Sequence, residues 1–562
     1  MARYALGIDY GTSSCRALLI DLAGGAELAT AVYHYPSGDH GVILSADPKL
    51  ARQEPADYLA GLESVAREVI TRAHESIDDF VPAEIVAVGF ATTGSTPLPV
   101  DADGTPLAIV PGFEDRLAAK AWLWKDHTAH AEAARITETA HRLRPELIRA
   151  CGGTYSAEWF WAKIWHCLTE DPEVFAAAHS WVELCDFVVG QLTGTAAPSV
   201  LRRSITAAGH KALYADEWGG LPDTEFLAAL DPVLADLRAR LYDTAHPTTE
   251  IAGYVTASWA ERTGLEVGTP VAVGHFDAHA AGVAGGARPG TFVKVMGTST
   301  CDITVVPPTA TGLPDIPGMC GVVRDAVIPG LVSVEAGQSA VGDIFSWFTD
   351  RFLSGRGVGA DIAELGARAA AVPAGVHGLL ALDWFNGNRS VLVDQRLTGL
   401  ILGLTLHTEP HHVLKALVEA TAYGARRILE TVEAAGTRIT TVVAAGGLPG
   451  HAPWIMQHYA DVLNREITVS ATAQGSAFGA AAVAAVAAGE FATVQAAQDA
   501  LVHYAEDSYT PDPDAAAVYA RLYREFTAVH DAFAVDGVLG SVMKTLLAVR
   551  EHPHPDKEEQ HD

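Results

Sequence analysis

The stretch YALGIDYGTSSCRALLID, residues 4–21, decides how the rest of the chain is interpreted. It contains two apolar runs of strand character, separated by a turn that includes Gly11, Thr12 and Ser13. Two strands joined in this way predict a β-hairpin, and a turn rich in glycine and hydroxyl residues directs several N–H and O–H groups toward one point. Such a turn suits phosphate oxygens. The Asp9 carboxylate, at the end of the first strand, could not itself face a phosphate but could hold a divalent cation that does.

A second copy of this pattern occurs in VKVMGTSTCDI, residues 293–303. Gly297-Thr298-Ser299 again separates two apolar runs, and a cysteine again follows after one intervening residue. When the two glycines are aligned, Asp9 falls opposite Val295, so only the first copy carries a carboxylate for a metal ion. One such turn alone is typical of an ordinary surface hairpin. Two copies, each early in its half of the chain, indicate an internal duplication with one phosphate-binding hairpin in each half.

Length and charge limit the classes of protein to be considered. A chain of 562 residues is too long for one hydrophobic core and predicts at least two domains. The formal net charge of −30 would repel nucleic acid and anionic membranes, so neither is an expected partner. The six cysteines show no Cys-x-x-Cys spacing, and neither a signal peptide nor an apolar run of about 18 residues is evident. These features predict a cytoplasmic protein with reduced thiols.

Hydrophobic periodicity predicts an α/β fold. Residues 55–73 carry one apolar face at helical spacing, and residues 85–91 form a buried strand. Strands that are nearly continuous apolar runs and alternate with helices are typical of α/β domains. In the second half, a strand at residues 441–445 is followed directly by Gly446 and Gly447. Glycines between a strand and a helix permit the close approach of a flat ligand such as adenine, so both are candidate nucleotide contacts.

The region of residues 122–222 is rich in tryptophan and in charged side chains. Sugars are bound by aromatic faces together with charged hydrogen-bonding groups, so this region could form the wall of a carbohydrate site. A well-packed helical insertion would have the same composition. The residues themselves favour neither interpretation.

A short histidine-containing run, residues 275–279, follows an apolar strand and allows two interpretations. If the strand continued, His275, Asp277 and His279 would share one face and resemble the zinc site of a metal-dependent hydrolase. If a helix begins here, Asp277 becomes an N-cap and the two histidines diverge. We favour the second interpretation because the run stands where a strand should pass into a helix.

The two Gly-Thr-Ser turns, the Gly446-Gly447 turn and Asp277 together resemble the FGGY family of carbohydrate kinases, over about residues 3–535. Longer composite segments add specificity to the resemblance, in particular toward the members that phosphorylate five-carbon ketoses. These segments are Trp124-Lys125-Asp126-His127-Thr128, residues 156–163, Ala208-Gly209-His210-Lys211, residues 335–339 and residues 383–387.

The resemblance implies two actin-like, ribonuclease H-like ATPase lobes of α/β class with a central cleft, the first lobe carrying the aromatic-rich insertion. The implied domains are a sugar-binding lobe at residues 1–284, a nucleotide-binding lobe at 285–545, and a charged, disordered tail at 546–562. The implied ligands are ATP, Mg²⁺ and a small sugar, with a homodimer left open. The implied site residues are Asp277 as catalytic base; Lys211, Glu335, Asp277, Trp124, Lys125 and Asp126 for the sugar; Gly11, Thr12, Ser13, Gly297, Thr298, Ser299, Gly446 and Gly447 for the nucleotide; and Asp9 for the metal ion.

The resemblance further implies L-ribulose as the sugar, phosphorylated on O5 in the breakdown of L-arabinose. D-Ribulose, ribitol and xylulose are the alternative substrates. Two alternatives come from other classes: an ATPase of the actin or Hsp70 type, and the metal-dependent hydrolase. The aromatic region argues against the first, because those ATPases have no small polyol to bind.

Overall fold

The computed structural model describes residues 3–310, 312–353, 362–534 and 537–551. Its strands are β1 (Tyr4–Tyr10), β2 (Ser14–Asp21), β3 (Glu27–His34), β4 (Arg52–Gln53), β5 (Ile85–Thr92), β6 (Pro97–Val100), β7 (Ala121–Trp122), β8 (Ser180–Glu183), β9 (Arg203–Ser204), β10 (Ala245–His246), β11 (Ile251–Tyr254), β12 (Pro270–Ala272), β13 (His275–Phe276), β14 (Thr291–Met296), β15 (Thr300–Val306), β16 (Gly321–Arg324), β17 (Val332–Gln338), β18 (Leu380–Leu382), β19 (Leu400–Leu402), β20 (Thr441–Ala445), β21 (Ile467–Ser470) and β22 (Tyr504–Tyr509).

The α-helices alternate with these strands along the chain. They are α1 (Pro55–Ser76), α2 (His130–Leu143), α3 (Pro145–Arg149), α4 (Phe160–Glu170), α5 (Pro172–Ala177), α6 (Leu184–Thr193), α7 (Ile205–Lys211), α8 (Thr224–Leu230), α9 (Pro232–Arg238), α10 (Ala257–Thr263), α11 (Asp277–Ala284), α12 (Gly342–Phe348), α13 (Ile362–Ala371), α14 (Pro410–Ala434), α15 (Gly447–His451), α16 (Pro453–Leu463), α17 (Gly475–Ala487), α18 (Val494–Leu501), α19 (Pro513–Phe533) and α20 (Val542–Glu551).

The first seven-stranded sheet contains the hairpin predicted at residues 4–21. Strands β1 and β2 pair antiparallel from Tyr4 opposite Asp21 to Tyr10 opposite Cys15, which confirms the hairpin. The strand order is β11-β12-β5-β1-β2-β3, with β13 beside β5. Strands β1, β2 and β3 form an antiparallel meander, whereas β5 pairs parallel with β1, β12 and β13. The predicted α/β class is confirmed.

The second seven-stranded sheet repeats this plan. Its order is β16-β17-β15-β14-β20-β21-β22, and β14 and β15 flank the second Gly-Thr-Ser turn, as the duplication predicts. Strand β20 is parallel to β21 and occupies the predicted residues 441–445. The polypeptide therefore carries two hairpins of the same type, each at the start of a mixed sheet.

Two compact units interleave along the chain. The first comprises Met1–Val293, Ile303–Glu335 and Ser470–Ala505, and the second comprises Lys294–Asp302, Ala336–Val469 and the residues from Glu506 onward. The units therefore do not follow the two halves of the sequence.

Glycines explain why helix α17, from the C-terminal half of the chain, belongs to the first unit. A Cβ atom at Gly7 in β1 would lie 1.8 Å from the Ala477 carbonyl oxygen of α17, and one at Gly89 in β5 would lie 2.1 Å from that of Ala480. A Cβ atom at Gly479 would lie 1.8 Å from the Ala280 carbonyl oxygen of α11. Only glycine permits such close backbone approach. Helix α17 thereby fixes α11, which begins at Asp277, against the first sheet.

The aromatic region forms a buried core within the first unit. Trp122, Trp159, Trp161, Trp165 and Trp181 are at most 5% exposed and pack in one hydrophobic cluster. For these side chains the packed-insertion interpretation is correct, because burial in a core leaves no ring face for a sugar. Trp124 is half-buried, and it remains the tryptophan of the predicted wall segment.

The remaining expectations concern the tail, the cysteines and membrane insertion. The predicted tail at residues 546–562 begins inside helix α20, so its first six residues are helical, and residues 552–562 lie outside the described residues. All six cysteines lie in the described ranges, and none of them forms a disulfide bond there. Within the described ranges, no helix is both long and apolar enough to cross a membrane.

Candidate active site

The first turn lies between β1 and β2, and the surrounding backbone fixes its shape. The Gly11 N–H donates to the Ser14 carbonyl at 2.9 Å, and Gln53 Nε2 donates to the Thr12 carbonyl at 2.7 Å. Trp124 Nε1 donates to Thr12 Oγ1 at 3.0 Å. The predicted phosphate turn and the predicted sugar-wall tryptophan are therefore in direct contact.

Asp9 sits immediately before this turn and has an oxygen without a partner. Its nearest cation is Arg16, whose Nε lies 3.7 Å from Oδ2. Among the described residues, Oδ1 of Asp9 is buried and accepts no hydrogen bond. Burial raises the pKa of Asp9 to about 6 against the opposing effect of Arg16. A buried carboxylate oxygen left without a donor is costly unless a cation binds it, so Asp9 fits the Mg²⁺ ligand that the resemblance implies.

Asp277 is the first residue of helix α11 and the N-cap is Phe276, so the prediction of Asp277 as the N-cap is wrong by one residue. Its Oδ1 accepts the Ala278 N–H at 2.7 Å. Burial, followed by the negative charge of Asp9, raises the pKa of Asp277 to about 7; Glu335 acts in the same direction, and Lys211 opposes it. A carboxylate that titrates near neutral pH is a suitable general base.

Lys211 and Glu335, both predicted sugar ligands, form a buried ion pair with each other. Lys211 Nζ lies 3.0 Å from Glu335 Oε1 and 3.3 Å from Oε2. Burial alone would raise the pKa of Glu335, but Lys211 and two neighbouring histidines hold it well below its usual range. The ammonium lies 5.3 Å from the ring centroid of Trp159 and 6.0 Å from that of Phe276. The structure thus brings together a charged donor and a charged acceptor beside two buried aromatic rings.

Asp126 plays a different part from its neighbours Trp124 and Lys125. Its side chain has no exposed surface, and its oxygens accept hydrogen bonds from Arg52, the Ala51 N–H and the Thr128 hydroxyl. These bonds leave the carboxylate engaged inside the protein rather than open to a ligand. Asp126 therefore supports the segment on which Trp124 and Lys125 lie, both of which are half-buried.

Sequence reasoning missed Lys163, which ties two loops of the first unit together. Its ammonium is fully buried and donates to the carbonyl oxygens of Ser95 at 2.9 Å, Trp122 at 3.2 Å and Leu123 at 2.8 Å. Glu183 supplies the opposite charge and accepts hydrogen bonds from the Ser95 hydroxyl and the Thr96 N–H. Lys163 lies within the 156–163 segment quoted above, but nothing in the sequence indicates which backbone groups it contacts.

The second turn, in the second unit, is held by its carbonyl groups. The Gly297 carbonyl accepts from the Gly342 N–H at 3.1 Å, and the Thr298 carbonyl accepts from the N–H groups of Val341 and Asp343 at 2.8 and 3.1 Å. Ser299 completes the turn by accepting the Gly297 N–H at 2.9 Å. Gly297 and Thr298 are exposed, as a phosphate-binding role requires.

The predicted glycine turn of the nucleotide site lies beside this hairpin. Gly446 has a φ of 90° and precedes helix α15, which begins at Gly447. A Cβ atom at position 446 would lie 2.5 Å from the Met296 carbonyl oxygen, next to the second turn. Both the positive φ and the close approach require glycine. The structure therefore brings Gly446 and Gly447 to the second hairpin, as expected for two parts of one nucleotide site.

A buried polar network underlies the second turn and was also missed from the sequence. Lys294 Nζ donates to Asp302 at 2.9 Å, to Gln338 Oε1 at 2.8 Å and to the Thr300 hydroxyl at 3.2 Å. Gln338 in turn donates to Asp383 at 2.6 Å. Alternation along β14 and β15 places Lys294, Thr300 and Asp302 on one face of the sheet. The contact with Gln338 of β17 depends on the strand order of the sheet, which the sequence does not reveal.

The histidine run at residues 275–279 requires a correction. The two histidines do not diverge, because their ring centroids are 6.1 Å apart in an edge-to-face arrangement. The residues that could surround a metal ion also differ from the three considered in the sequence analysis. In the described part of the chain, the group able to hold a metal ion consists of His279 with His210 and Glu335, without His275 or Asp277.

Comparison with known proteins identifies the family to which the chain belongs. Residues 4–284 match the N-terminal domain of the FGGY family of carbohydrate kinases, and residues 292–488 match its C-terminal domain. The chain belongs to the FGGY family of carbohydrate kinases, and it is an ATP-dependent kinase rather than a chaperone-type ATPase or a hydrolase.

Individual relatives are similar over nearly their whole length. A ribulokinase of Shouchella clausii (strain KSM-K16) is 41% identical, with 98% of each chain covered. A ribulokinase of Geobacillus thermodenitrificans (strain NG80-2) is 42% identical, with 94% of each chain covered. The crystal structure of xylulose kinase from Rhodospirillum rubrum superimposes with a TM-score of 0.75 at 27% identity, covering 94% of this chain and 99% of the other. The predicted two-domain FGGY fold is confirmed.

Proposed function

We propose that this protein phosphorylates L-ribulose on O5 with Mg·ATP, giving L-ribulose 5-phosphate, a step in L-arabinose breakdown. The observation that carries the proposal is the group formed by Asp277, Lys211 and Glu335, in which a near-neutral base adjoins a buried donor and acceptor. The relatives named ribulokinase, at 37–42% identity over more than nine-tenths of the chain, support the choice of sugar.

In the proposed mechanism, Asp277 acts on the reacting hydroxyl. The O5 oxygen forms a bond to the γ-phosphorus as the bond from that phosphorus to the β,γ-bridging oxygen breaks, and ADP leaves. The O5 proton passes to the Asp277 carboxylate. A base with a pKa of about 7 is about half ionised at pH 7 and is still basic enough to take this proton.

Phosphate contacts are assigned to each turn separately, by family resemblance. Thr12 and Ser13 in the first turn, and Thr298 and Ser299 in the second, each offer hydroxyl and amide donors for phosphate oxygens. Asp9 would hold Mg²⁺, because its Oδ1 is buried without a partner among the described residues. When bound, Mg²⁺ neutralises charge on the phosphates.

The sugar is assigned to Lys211 and Glu335 and, by family resemblance, to Trp124 and Lys125. An ammonium and a carboxylate together can donate to and accept from neighbouring hydroxyl groups of a ketose. A sugar that lacks a matching hydroxyl forgoes a hydrogen bond to one of these charged groups, at a cost of about 1.5–3 kcal/mol. This cost is the expected source of discrimination against short polyols.

Xylulose is the second candidate substrate, because the similar solved structure at 27% identity is named a xylulose kinase. The two substrates differ in the configuration of hydroxyl groups, which the fold does not decide. A side-by-side assay of ADP formation with L-ribulose, D-ribulose, ribitol, xylulose and glycerol separates them. We expect the highest kcat/KM with L-ribulose, weaker turnover of D-ribulose and ribitol, and essentially none of glycerol. A higher kcat/KM with xylulose or glycerol would overturn the choice of L-ribulose while leaving the sugar-kinase class intact.

The buried ion pair gives a prediction about sugar affinity. Lys211→Met removes the ammonium but keeps most of the side-chain volume. A hydrogen bond to a charged group contributes about 1.5–3 kcal/mol, so we expect the KM for L-ribulose to rise roughly 10- to 150-fold. The KM for ATP should change less than about threefold. Equal increases in both constants would show that Lys211 acts through the general structure and not on the sugar.

The raised pKa of Asp277 gives a prediction about pH. Only the ionised carboxylate can accept the proton, so kcat/KM for the sugar should increase with pH up to about 7 and level off above it. Below pH 7, the value should fall about tenfold for each pH unit. A pH–rate profile with non-limiting Mg·ATP measures this. A flat profile down to pH 5 would show that no group with a pKa near 7 has to be ionised.

A further inference from the structure

Two buried histidines beside the Lys211–Glu335 pair take no part in the proposed phosphoryl transfer. His210, His279 and Glu335 each place one ligand atom within 4.8 Å of the others, and all three side chains are buried. His210 Nδ1 and His279 Nε2 lie 3.1 and 3.3 Å from the same oxygen, Glu335 Oε2. Ligand atoms bound at about 2.0–2.1 Å to a tetrahedral zinc ion are roughly 3.3 Å apart. Two edges of this triangle therefore already match a coordination shell.

These contacts do not have the geometry of hydrogen bonds. Among the described residues, His210 Nδ1 and both ring nitrogens of His279 are buried without a hydrogen-bond partner. The two side chains are only 2% and 1% exposed, so water does not readily replace the missing partners. A polar atom buried without a partner is costly, and two of these atoms, His210 Nδ1 and His279 Nε2, face the same carboxylate oxygen.

A serine fixes the tautomer of His210. The Ser333 hydroxyl donates to the Val323 carbonyl at 3.0 Å, so its oxygen is the acceptor for His210 Nε2–H at 3.1 Å. A neutral imidazole protonated at Nε2 carries a lone pair at Nδ1. That lone pair faces a carboxylate oxygen at 3.1 Å, and two acceptors at this distance repel each other unless a cation lies between them. Metal-bound histidines are commonly held by a hydrogen bond at the other ring nitrogen, as Ser333 does here.

We propose that His210, His279 and Glu335 form a binding site for a divalent transition-metal ion of the Zn²⁺ type, and that this ion competes with the sugar. Two imidazoles and one carboxylate suit Zn²⁺, whereas Mg²⁺ requires oxygen ligands. The ion is therefore distinct from the one assigned to Asp9. The competition, but not the metal site itself, rests on the proposed function, because Glu335 would serve both ligands.

Lys211 sets the affinity of this site. Its ammonium lies 3.0 Å from Glu335 Oε1, while the histidines face Oε2. A positive charge so close to the carboxylate repels a bound dication. Lys211→Met should therefore strengthen Zn²⁺ binding at least several-fold while it weakens sugar binding. A residue that merely held the fold together would not move the two affinities in opposite directions.

Direct binding is measured on the metal-free full-length protein titrated with Co²⁺, followed by displacement with Zn²⁺. We expect visible ligand-field bands that reach saturation near one equivalent, and a loss of affinity of at least tenfold in His279→Gln and in Glu335→Gln. His275→Gln is the matched control, because His275 is buried beside His279 but outside the triangle. Far-ultraviolet circular dichroism establishes that each variant is folded. The absence of bands in the wild-type protein, or equal Co²⁺ affinity in all three variants, would overturn the site.

The kinetic measurement separates this proposal from the proposed function. With excess Mg·ATP, added Zn²⁺ should raise the apparent KM for L-ribulose and leave that for ATP unchanged. If Co²⁺ binds as expected but Zn²⁺ leaves the sugar KM unchanged, the metal site stands, and the competition and the role of Glu335 as a sugar ligand are wrong. If the protein turns over L-ribulose normally but binds no Co²⁺, the metal site alone is wrong.

Discussion

Replacement of Asp277 by asparagine should lower kcat about 10²- to 10⁴-fold, because an amide cannot accept the proton of the sugar hydroxyl. This loss corresponds to about 2.7–5.5 kcal/mol of barrier height. The fold should persist. A carboxyl group whose pKa is raised to about 7 in the folded protein binds its proton more tightly there than in the unfolded chain. Its ionisation above pH 7 therefore costs folding free energy, and Asp277→Asn removes that cost.

Steady-state kinetics and thermal melting at pH 8 test both halves of this expectation. The melting temperature of the Asp277→Asn variant should be no lower than that of the wild type, and ATP binding should be retained. Asp186→Asn is a suitable control, since Asp186 is a buried carboxyl in the same unit with its pKa also raised to about 7 by burial. Asp186 accepts the Ser204 N–H and lies near Arg203, so its loss should affect stability more than kcat. An Asp277→Asn enzyme with more than about a tenth of wild-type kcat would contradict the assignment.

Replacement of Asp9 by alanine should weaken the use of Mg·ATP far more than the use of sugar. Asp9 is the carboxylate assigned to the metal ion, and its Oδ1 has no other partner among the described residues. We expect the Mg²⁺ concentration needed for half-maximal activity to rise at least about tenfold, equivalent to 1.4 kcal/mol. Titration of activity with Mg²⁺ at fixed ATP and sugar measures this change.

Val295→Ala is the matched control, because Val295 stands at the corresponding position of the second hairpin. Loss of the half-buried methyl groups of Val295 should reduce the melting temperature modestly, without altering the Mg²⁺ dependence of the remaining activity. The negative charge of Asp9 also raises the pKa of Asp277, so Asp9→Ala should shift the acid limb of the pH profile to lower pH. The same Mg²⁺ dependence in both variants would show that the two hairpins do not divide their roles in this way.

The sequence predicted the elements that depend on local pattern. The hairpin at residues 4–21 combines apolar strands with a turn whose residue types suit no other local structure. The structure confirms this hairpin, with the two strands paired from Tyr4 opposite Asp21 to Tyr10 opposite Cys15. Strand β20 was predicted from its apolar run, and Gly446-Gly447 from two glycines placed directly between a strand and a helix. The structure adds a positive φ at Gly446, which favours glycine. The pairing of Lys211 with Glu335 could not be read from the chain, although both residues were selected by family resemblance.

Features that depend on contacts between distant parts of the chain were not predictable. The near-neutral pKa of Asp277 requires Asp9 and Glu335 as neighbours, which only the fold provides. Helix α17 belongs to the first unit because Gly7 and Gly89 allow its backbone to touch the sheet, and a glycine in a strand does not name its partner. His210 stood beside Lys211 in a segment already singled out, but its role depends on Ser333 and Glu335, which lie on strand β17 at least 123 residues later.

The most direct test of the central claim is phosphorus NMR of the complete reaction of the purified protein with Mg·ATP and L-ribulose. The account predicts one equivalent of ADP for each equivalent of a single sugar phosphate, with the phosphorus coupled to the protons on C5. Little inorganic phosphate should form beyond that seen without sugar. Release of inorganic phosphate in place of a sugar phosphate, or phosphorylation at another carbon, would contradict the account.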